Sequence, residues 1–125
     1  MKPFTLTILL ITAAIATAQE LTVMELLQSP RQFEGRRVTV KGYYFSDWEG
    51  HEVYADLKAA KAHDWSRSLW ISSAHANIES PIRKAQISGV FFYSPYYHPK
   101  HIFSGYGLFG AFPAELVNCT VRLSK

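Results

Sequence analysis

The fold of this chain is decided by one stretch, Arg36-Arg37-Val38-Thr39-Val40-Lys41-Gly42-Tyr43-Tyr44. In an extended conformation, Val38, Val40 and Tyr44 fall on one face of this stretch. Thr39 and Lys41 fall on the other face. A period of two is typical of a β-strand that is buried on one side. We therefore predict a first strand here, with Val38 and Val40 in the core and Thr39 and Lys41 on the open face.

Four more segments have the composition of short strands, namely residues 52–57, 68–72, 85–93 and 116–123. Gly42 and Gly89 mark points where two of the strands could bend. Residues 74–84 lack strand chemistry and contain Pro81, so we expect the longest non-strand connection between strands three and four. Residues 94–104 form a long aromatic loop. This layout predicts an all-β fold with short helices, a five-stranded OB-fold-like barrel preceded by an N-terminal helix.

That helix is predicted from Thr22-Val23-Met24-Glu25, which has the spacing of a capping box. Leu21 can pack against Leu26 as a hydrophobic staple. The helix should end by Ser29, because a proline disfavours helical geometry in the residue before it. Residues 29–35 then offer a second cap, a proline at the first helical position and a glycine stop, which predicts one further turn.

Residues 1–18 have the pattern of a cleaved secretory signal. Lys2 precedes an apolar run over residues 4–15, and Ala16-Thr17-Ala18 forms an A-x-A cleavage box. The run is too short to span a bilayer of ordinary thickness. We therefore expect a signal peptide over 1–18, a single domain over 19–125, and a periplasmic or secreted protein. No cysteine lies near the cleavage box to accept a lipid, so we expect no membrane anchor.

The predicted domain resembles the small exported OB-fold-like proteins of bacteria, most of which have no assigned function. The resemblance rests on "LLQSPRQFEGRRVTVKGYY", "VYADL", "SLWIS", "AQISGVF" and "GYGLFGAFPAELVNCTVRL", which together cover nearly all of residues 20–125. It implies the fold more than a task. Many members of that group are lipid-anchored, and this chain departs from them there.

The net charge bears on nucleic-acid binding, and the cysteine content excludes a disulfide framework within the chain. The chain has 13 basic and 10 acidic residues, and Lys2 is the single charge within 1–18, so the remainder has a net charge of +2. This mild balance permits nucleic-acid binding without indicating it. Cys119 is the single cysteine, so an intrachain disulfide is impossible. We expect its thiol to be buried and inert, with an intermolecular disulfide as the alternative.

Three motifs invite a chemical interpretation that their surroundings do not support. Residues 105–110 are a literal G-x-G-x-x-G, but Pro113 interrupts any following helix, so a glycine-rich entry to a curved strand is the better interpretation. His98 and His101 are three residues apart, but Pro99 prevents a regular helix between them, and we expect no metal. We also expect no cofactor. The acidic residues of the mid-chain, Asp47, Glu49, Glu52 and Asp56, are interpreted as surface solvation instead of a catalytic pair.

The aromatic loops are the best candidate for a site. OB-folds hold ligands across strands two and three, between the loops that join strands one to two and four to five. The predicted ligand-binding residues in those loops are Trp48, His51, Tyr96, Tyr97, His98, Lys100 and His101. Flat rings beside cations suit stacking on bases or sugars, or a protein interface. We interpret Tyr54 and Trp70, inside predicted strands, as core or barrel-wall residues.

These observations predict an exported, non-catalytic binding or protein-interaction module of the bacterial envelope. The alternative is a periplasmic oligosaccharide or oligonucleotide binder, although export makes nucleic acid less available. A small hydrolase is the third hypothesis, but the sequence has neither a G-x-S-x-G elbow nor a visible nucleophile and base.

Overall fold

A computed structural model describes residues 20–47, 50–72 and 80–124. The described strands are β1 (Glu20–Thr22), β2 (Arg37–Asp47), β3 (Gly50–Tyr54), β4 (Ser68–Ile71), β5 (Ser80–Tyr93) and β6 (Ala114–Leu123). The described α-helices are α1 (Val23–Gln28), α2 (Pro30–Phe33) and α3 (Leu57–Ala62), and 3-10 turns cover Trp65–Arg67 and Leu108–Gly110. The predicted signal peptide lies outside the described residues.

Five of the strands close into a barrel in the order β2-β3-β4-β6-β5, with β5 pairing back onto β2. The β4–β6 pairing is parallel, and the other pairings within the barrel are antiparallel. This confirms the predicted all-β, five-stranded OB-fold-like barrel. A sixth strand, β1, was not predicted, and it runs parallel to β2 from Glu20 opposite Thr39 to Thr22 opposite Lys41.

The alternation in β2 is confirmed for its core face. Val38, Val40 and Tyr44 are buried, and Lys41 is exposed. The prediction for Thr39 was wrong, because this residue is buried as well. Its hydroxyl lies 3.0 Å from the hydroxyl of Ser88 on β5, so the neighbouring strands cover it.

The segment between β1 and β2 turns twice before it enters the barrel. The Thr22 hydroxyl accepts the Glu25 N–H at 3.2 Å, and the Glu25 carboxylate accepts the Thr22 N–H at 3.1 Å, so both bonds of the capping box form. Pro30 begins α2, although the Ser29 side chain makes no cap hydrogen bond. Gly35 then donates its N–H to the Phe91 carbonyl at 2.7 Å, which joins this segment to β5.

The core has two parts, one inside and one outside the barrel. The interior contains inward residues of all the strands together with two residues of α1, including Val23, Leu26, Val40, Val53, Leu69, Ile87, Phe91 and Leu116. Outside the barrel, α3 covers Tyr54 with Ala59 and Ala60. Asp56 caps α3 by accepting the Ala59 N–H at 2.7 Å, and its second oxygen pairs with Arg67 at 2.9 Å. Because Asp56 starts a helix, β3 ends at Tyr54 and not at the predicted residue 57.

Two predictions about the connections were wrong. β5 begins at Ser80, so residues 80–84 are strand; Pro81 is tolerated because it lies where the pairing of β5 with β2 shifts register. The longest connection between barrel strands is residues 94–113, between β5 and β6, and not the one between strands three and four. Over the ranges that the structure describes, none of the helices has the length and apolar character needed to cross a bilayer.

Cys119 faces the barrel interior from β6 and is buried, as predicted. Burial raises the pKa of its thiol to about 12. A thiol with so high a pKa stays protonated at neutral pH and is a poor nucleophile.

Candidate functional site

A cleft of about 250 Å³ lies on the outer face of the barrel, and we refer to it as the outer cleft. Its described lining residues are Phe45, Asp47, Glu52, His63, Trp65, Trp70, Leu108 and Phe112. Glu52 pairs across the sheet with Phe45 on one side and with Trp70 on the other. These three side chains therefore form a row across β2, β3 and β4. This is the face on which OB-folds hold ligands.

Trp70 lines the outer cleft, and two glycines lie directly against its indole. A Cβ atom at Gly50 would lie 2.1 Å from the ring, and a Cβ atom at Gly107 would lie 2.3 Å from it. Gly107 also has a φ of +71°, which favours glycine. The ring of Phe112 lies 5.1 Å from Trp70, measured between centroids, and 5.8 Å from the ring of Trp65. Trp70 thus links the start of β3 to the loop of residues 94–113.

The polar groups of the outer cleft are acidic. The interpretation of Glu52 as surface solvation was wrong, because this residue is buried with 9% of its surface exposed. Its carboxylate accepts the Tyr54 O–H at 2.7 Å. Burial, together with this bond to Glu52, raises the pKa of Tyr54, so its hydroxyl remains a donor. Asp47 accepts the Gly50 N–H at 3.2 Å. Two carboxylates therefore lie among aromatic rings, and the lining contains no lysine or arginine among the described residues.

A third carboxylate extends the same row. Glu115 on β6 pairs with Trp70 on β4, so Trp70 lies between Glu52 and Glu115 across the sheet. Burial raises the pKa of Glu115, and Glu115 in turn contributes to a raised pKa of Tyr106, for which burial is the larger cause. Three carboxylates, Asp47, Glu52 and Glu115, therefore lie on the outer face around Trp70, and His63 lines the cleft beside them.

The structure places His51 away from the outer cleft. A hydrogen bond of 2.7 Å joins its Nδ1 to the hydroxyl of Tyr44, and the two rings are stacked with centroids 6.0 Å apart. Tyr44 faces the barrel interior, so His51 lies at the mouth of the barrel, on the opposite side of β3 from Glu52. Burial lowers the pKa of His51. Trp48, the other predicted residue of this loop, lies outside the described residues.

Of the predicted residues in the second loop, Tyr97 is partly buried and the other four are exposed. Tyr97 packs within the loop, against Gly105, and burial and the nearby Asp64 raise its pKa. Tyr96 projects from the loop with 84% of its surface exposed. The remaining three, His98, Lys100 and His101, are exposed in a tight turn. There the rings of His98 and His101 lie 4.5 Å apart and the Lys100 N–H bonds to His98 Nδ1 at 3.1 Å.

Sequence reasoning missed the rings that line the outer cleft. The alternation Leu69-Trp70-Ile71 places Trp70 outward, and Glu52 alternates with the buried Val53 in the same way. This signal could have identified the row across the sheet. Trp65 had no such signal, because it belongs to a 3-10 turn whose position depends on α3 and on the Asp64 cap at Ser66.

The motifs with a chemical interpretation take structural positions. In the G-x-G-x-x-G stretch, Gly107 packs on Trp70 and Gly110 lies against the backbone of Phe103. The stretch contains a 3-10 turn and leads into β6, with no helix of the kind a dinucleotide would need. Within the described ranges, no group of three or more His, Cys, Asp or Glu side chains is arranged to hold a metal ion.

Comparisons with known proteins add no relative to this description. No protein-family model matches the chain, and neither a curated protein nor a solved structure matches it significantly. The resemblance to exported OB-fold-like proteins therefore stays a prediction.

Proposed function

We propose that this protein is an exported, non-catalytic binding module that receives a cationic group of a protein partner in the outer cleft. The observation that carries the proposal is the row of Phe45, Glu52 and Trp70, with a buried carboxylate between two rings. Export rests on the apolar run and cleavage box of residues 4–18. The site of action is then the periplasm or the cell exterior.

The charge and the size of the outer cleft support this ligand class. A cation over an aromatic face is attracted by the ring quadrupole, and a desolvated carboxylate strengthens that attraction. Asp47 and Glu52 would repel a phosphate, which argues against an oligonucleotide here. At about 250 Å³ the cleft is smaller than a typical pocket for a drug-sized ligand, and it suits a single side chain such as lysine or arginine.

The proposal of a non-catalytic role has its own support. The two carboxylates of the outer cleft already accept hydrogen bonds, Glu52 from the Tyr54 O–H and Asp47 from the Gly50 N–H, and the described lining includes no serine, cysteine or lysine. Cys119 is buried in the barrel interior, and its raised pKa keeps it protonated.

The direct test is to titrate the protein with a lysine whose α-amino and carboxyl groups are both capped as amides. The NMR signals of the Trp65 and Trp70 indole N–H groups report the binding. We expect both signals to shift with the ammonium probe and not with the same probe acetylated on Nζ. Glu52→Gln should weaken the response at least about tenfold, because it removes the charge and keeps the shape. Glu25→Gln is the matched control, since this exposed residue lies on α1 and glutamine also serves in a capping box.

A response that is equal for both probes, or that is unchanged in Glu52→Gln, would contradict cation recognition. The carboxylates and rings also favour a second candidate, a neutral oligosaccharide, whose hydroxyls can donate to carboxylates while its apolar face stacks on an indole. In that case oligosaccharides would shift the same indole signals, and added salt would have little effect on the affinity. Affinity capture from the envelope with the wild-type protein and Glu52→Gln then identifies the partner.

A further inference from the structure

The loop of residues 94–113 ends in an apolar tip, which we define as Ile102, Phe103 and Phe109. These side chains have 64%, 75% and 57% of their surface exposed. Scattered apolar residues on a surface are ordinary, but three exposed apolar side chains on one loop form a patch of the kind that marks an interaction site. Tyr96, on the same loop, is more exposed still.

The backbone holds the two phenylalanines together in this position. Phe103 and Phe109 have φ angles of +65° and +56°, a region that bulky residues rarely adopt. The Phe103 N–H donates to the Phe109 carbonyl at 2.7 Å, and the Gly105 N–H donates to the Gly110 carbonyl at 2.8 Å. Strained residues of this kind persist where the surrounding structure fixes them, and they cluster at functional sites.

The base of the loop is firmly attached, so the tip is presented by an ordered support. Tyr106 and Phe112 exchange backbone hydrogen bonds of 2.8 and 3.0 Å. The hydroxyl of Ser94 donates to the Ser104 carbonyl at 2.6 Å, and the hydroxyl of Ser104 donates to the His101 carbonyl at 2.6 Å. The apolar tip therefore stays exposed although the loop around it is fully structured.

The charged residues of the loop indicate which kind of surface could cover the tip. Residues 94–113 contain Lys100 and two histidines and no aspartate or glutamate. Carboxylates also lie around the loop: Glu34 accepts the Tyr93 N–H, Asp64 lies close to Tyr97, and Glu115 lies close to Tyr106. Asp47 and Glu52 line the outer cleft together with Leu108 of the loop. Lys100 is the one lysine or arginine in residues 94–113, and it lies two residues before Ile102 in the chain. An anionic surface is complementary to this segment of the loop, residues 100–103.

We propose that the apolar tip inserts into the interfacial region of an anionic lipid bilayer. Ile102, Phe103 and Phe109 enter the boundary of the acyl chains, and Lys100 pairs with lipid phosphates. Apolar side chains that project from one loop enter a deformable bilayer without needing a matching pocket. Tyrosine is enriched at such interfaces, and a lysine near the surface adds electrostatic attraction. Few inserted side chains mean reversible binding.

This placement has a consequence for the outer cleft. Leu108, which lines the cleft, is the neighbour of Phe109, and Gly107 packs on Trp70. A tip in the bilayer would hold the outer cleft close to the membrane surface. The proposal does not depend on what the cleft binds.

The test is sedimentation with vesicles of phosphatidylglycerol and phosphatidylethanolamine, compared with vesicles of phosphatidylcholine alone. The host-processed protein is used for every variant, so that all share one N-terminus. The variant Phe103→Asn with Phe109→Asn removes both rings, and asparagine accepts a positive φ, so the loop should keep its backbone. We expect at least about tenfold weaker binding to anionic vesicles. Lys100→Gln should reduce the preference for anionic over neutral vesicles.

Leu57→Ser is the matched control, because Leu57 has 40% of its surface exposed but lies on α3, outside the loop. Its vesicle binding should equal that of the wild type, and thermal midpoints should show that all variants are folded. The proposal is overturned if the wild-type protein stays in the supernatant with anionic vesicles. It is equally overturned if the double variant binds as tightly as the wild type. Self-association or protein capture through the tip, without vesicle binding, would assign the tip to a protein interface instead.

Discussion

The barrel interior and the tip of the loop of residues 94–113 both contain phenylalanine, which is buried in the interior and exposed at the tip. Phe91 on β5 is fully buried, whereas Phe103 in the loop has three quarters of its surface exposed. Strand pairing forces Phe91 to one side of the sheet, toward Val40 and Leu116 in the interior cluster. In the loop, backbone hydrogen bonds fix Phe103 and no alternation directs its ring inward.

The difference shows that residue type alone does not decide whether a phenylalanine of this chain is buried or exposed. Apolar residues of the strands exclude water from one interior, which is the main source of folding free energy. Apolar residues of the loop tip keep exposed surface, whereas Phe112 of the same loop is buried. The following experiments test whether this division is real, from the largest expected effect to the smallest.

Replacing the two phenylalanines tests the division directly. We expect Phe91→Ala to lower the free energy of unfolding by about 3 to 5 kcal/mol, because it empties a fully buried site. Phe103→Ala should change it by under about 0.5 kcal/mol, since its ring is exposed. Urea unfolding curves measure both values. Equal losses would mean that the loop belongs to the folding core.

Two glycines with nearly the same φ angle test how tightly the loop is attached to the barrel. Gly107→Ala should cost about 2 to 4 kcal/mol, because it adds strain at a φ of +71° and drives a Cβ into Trp70. Gly35→Ala should cost about 1 to 2 kcal/mol, since its φ is +73° and nothing lies within 4 Å of the added Cβ. Thermal unfolding and the indole signal of Trp70 report on both. If Gly107→Ala proves no worse than Gly35→Ala, Trp70 is not held against the loop.

Neighbouring residues of β2 test the register of the first barrel strand. Val40→Ala should lower the free energy of unfolding by about 1 to 3 kcal/mol, and Lys41→Ala by under about 0.5 kcal/mol. Denaturant melts that gave the reverse order would place the strand one residue out of register.

The smallest effect concerns Cys119 and appears in alkali. Folding raises the pKa of this thiol from 9 to about 12, so its contribution to stability is complete below pH 9 and is lost as the pH rises from 9 toward 12. Between pH 9 and 10 the wild-type protein should lose stability faster than Cys119→Ala, because tyrosine titration is common to both proteins and cancels in the comparison. At pH 8 a thiol reagent should react at least about 100-fold more slowly with the folded than with the unfolded protein. Rapid labelling of the folded protein would show that the thiol is accessible.

Much of the fold could be predicted because its signals are local. The alternation of β2, the capping box of Thr22 and Glu25, and the proline start of α2 each involve residues within a few positions of one another. The face of the barrel that holds the outer cleft followed from the fold class. Its residues did not, because Trp65 reaches the outer cleft only through the packing of α3 on the barrel.

The amino-acid sequence by itself determined the inward faces of the barrel strands and the order in which they follow, since these depend on a period of two and on turn residues. Tertiary structure alone decided three features. It paired β1 with β2 and so buried Thr39, it brought Glu52, Trp70 and Phe112 into one cleft, and it left Phe103 exposed beside Phe109. Each of these features depends on hydrogen bonds or packing that no local pattern of apolar and polar residues encodes, and for β1 and the cleft the partners are distant in the chain.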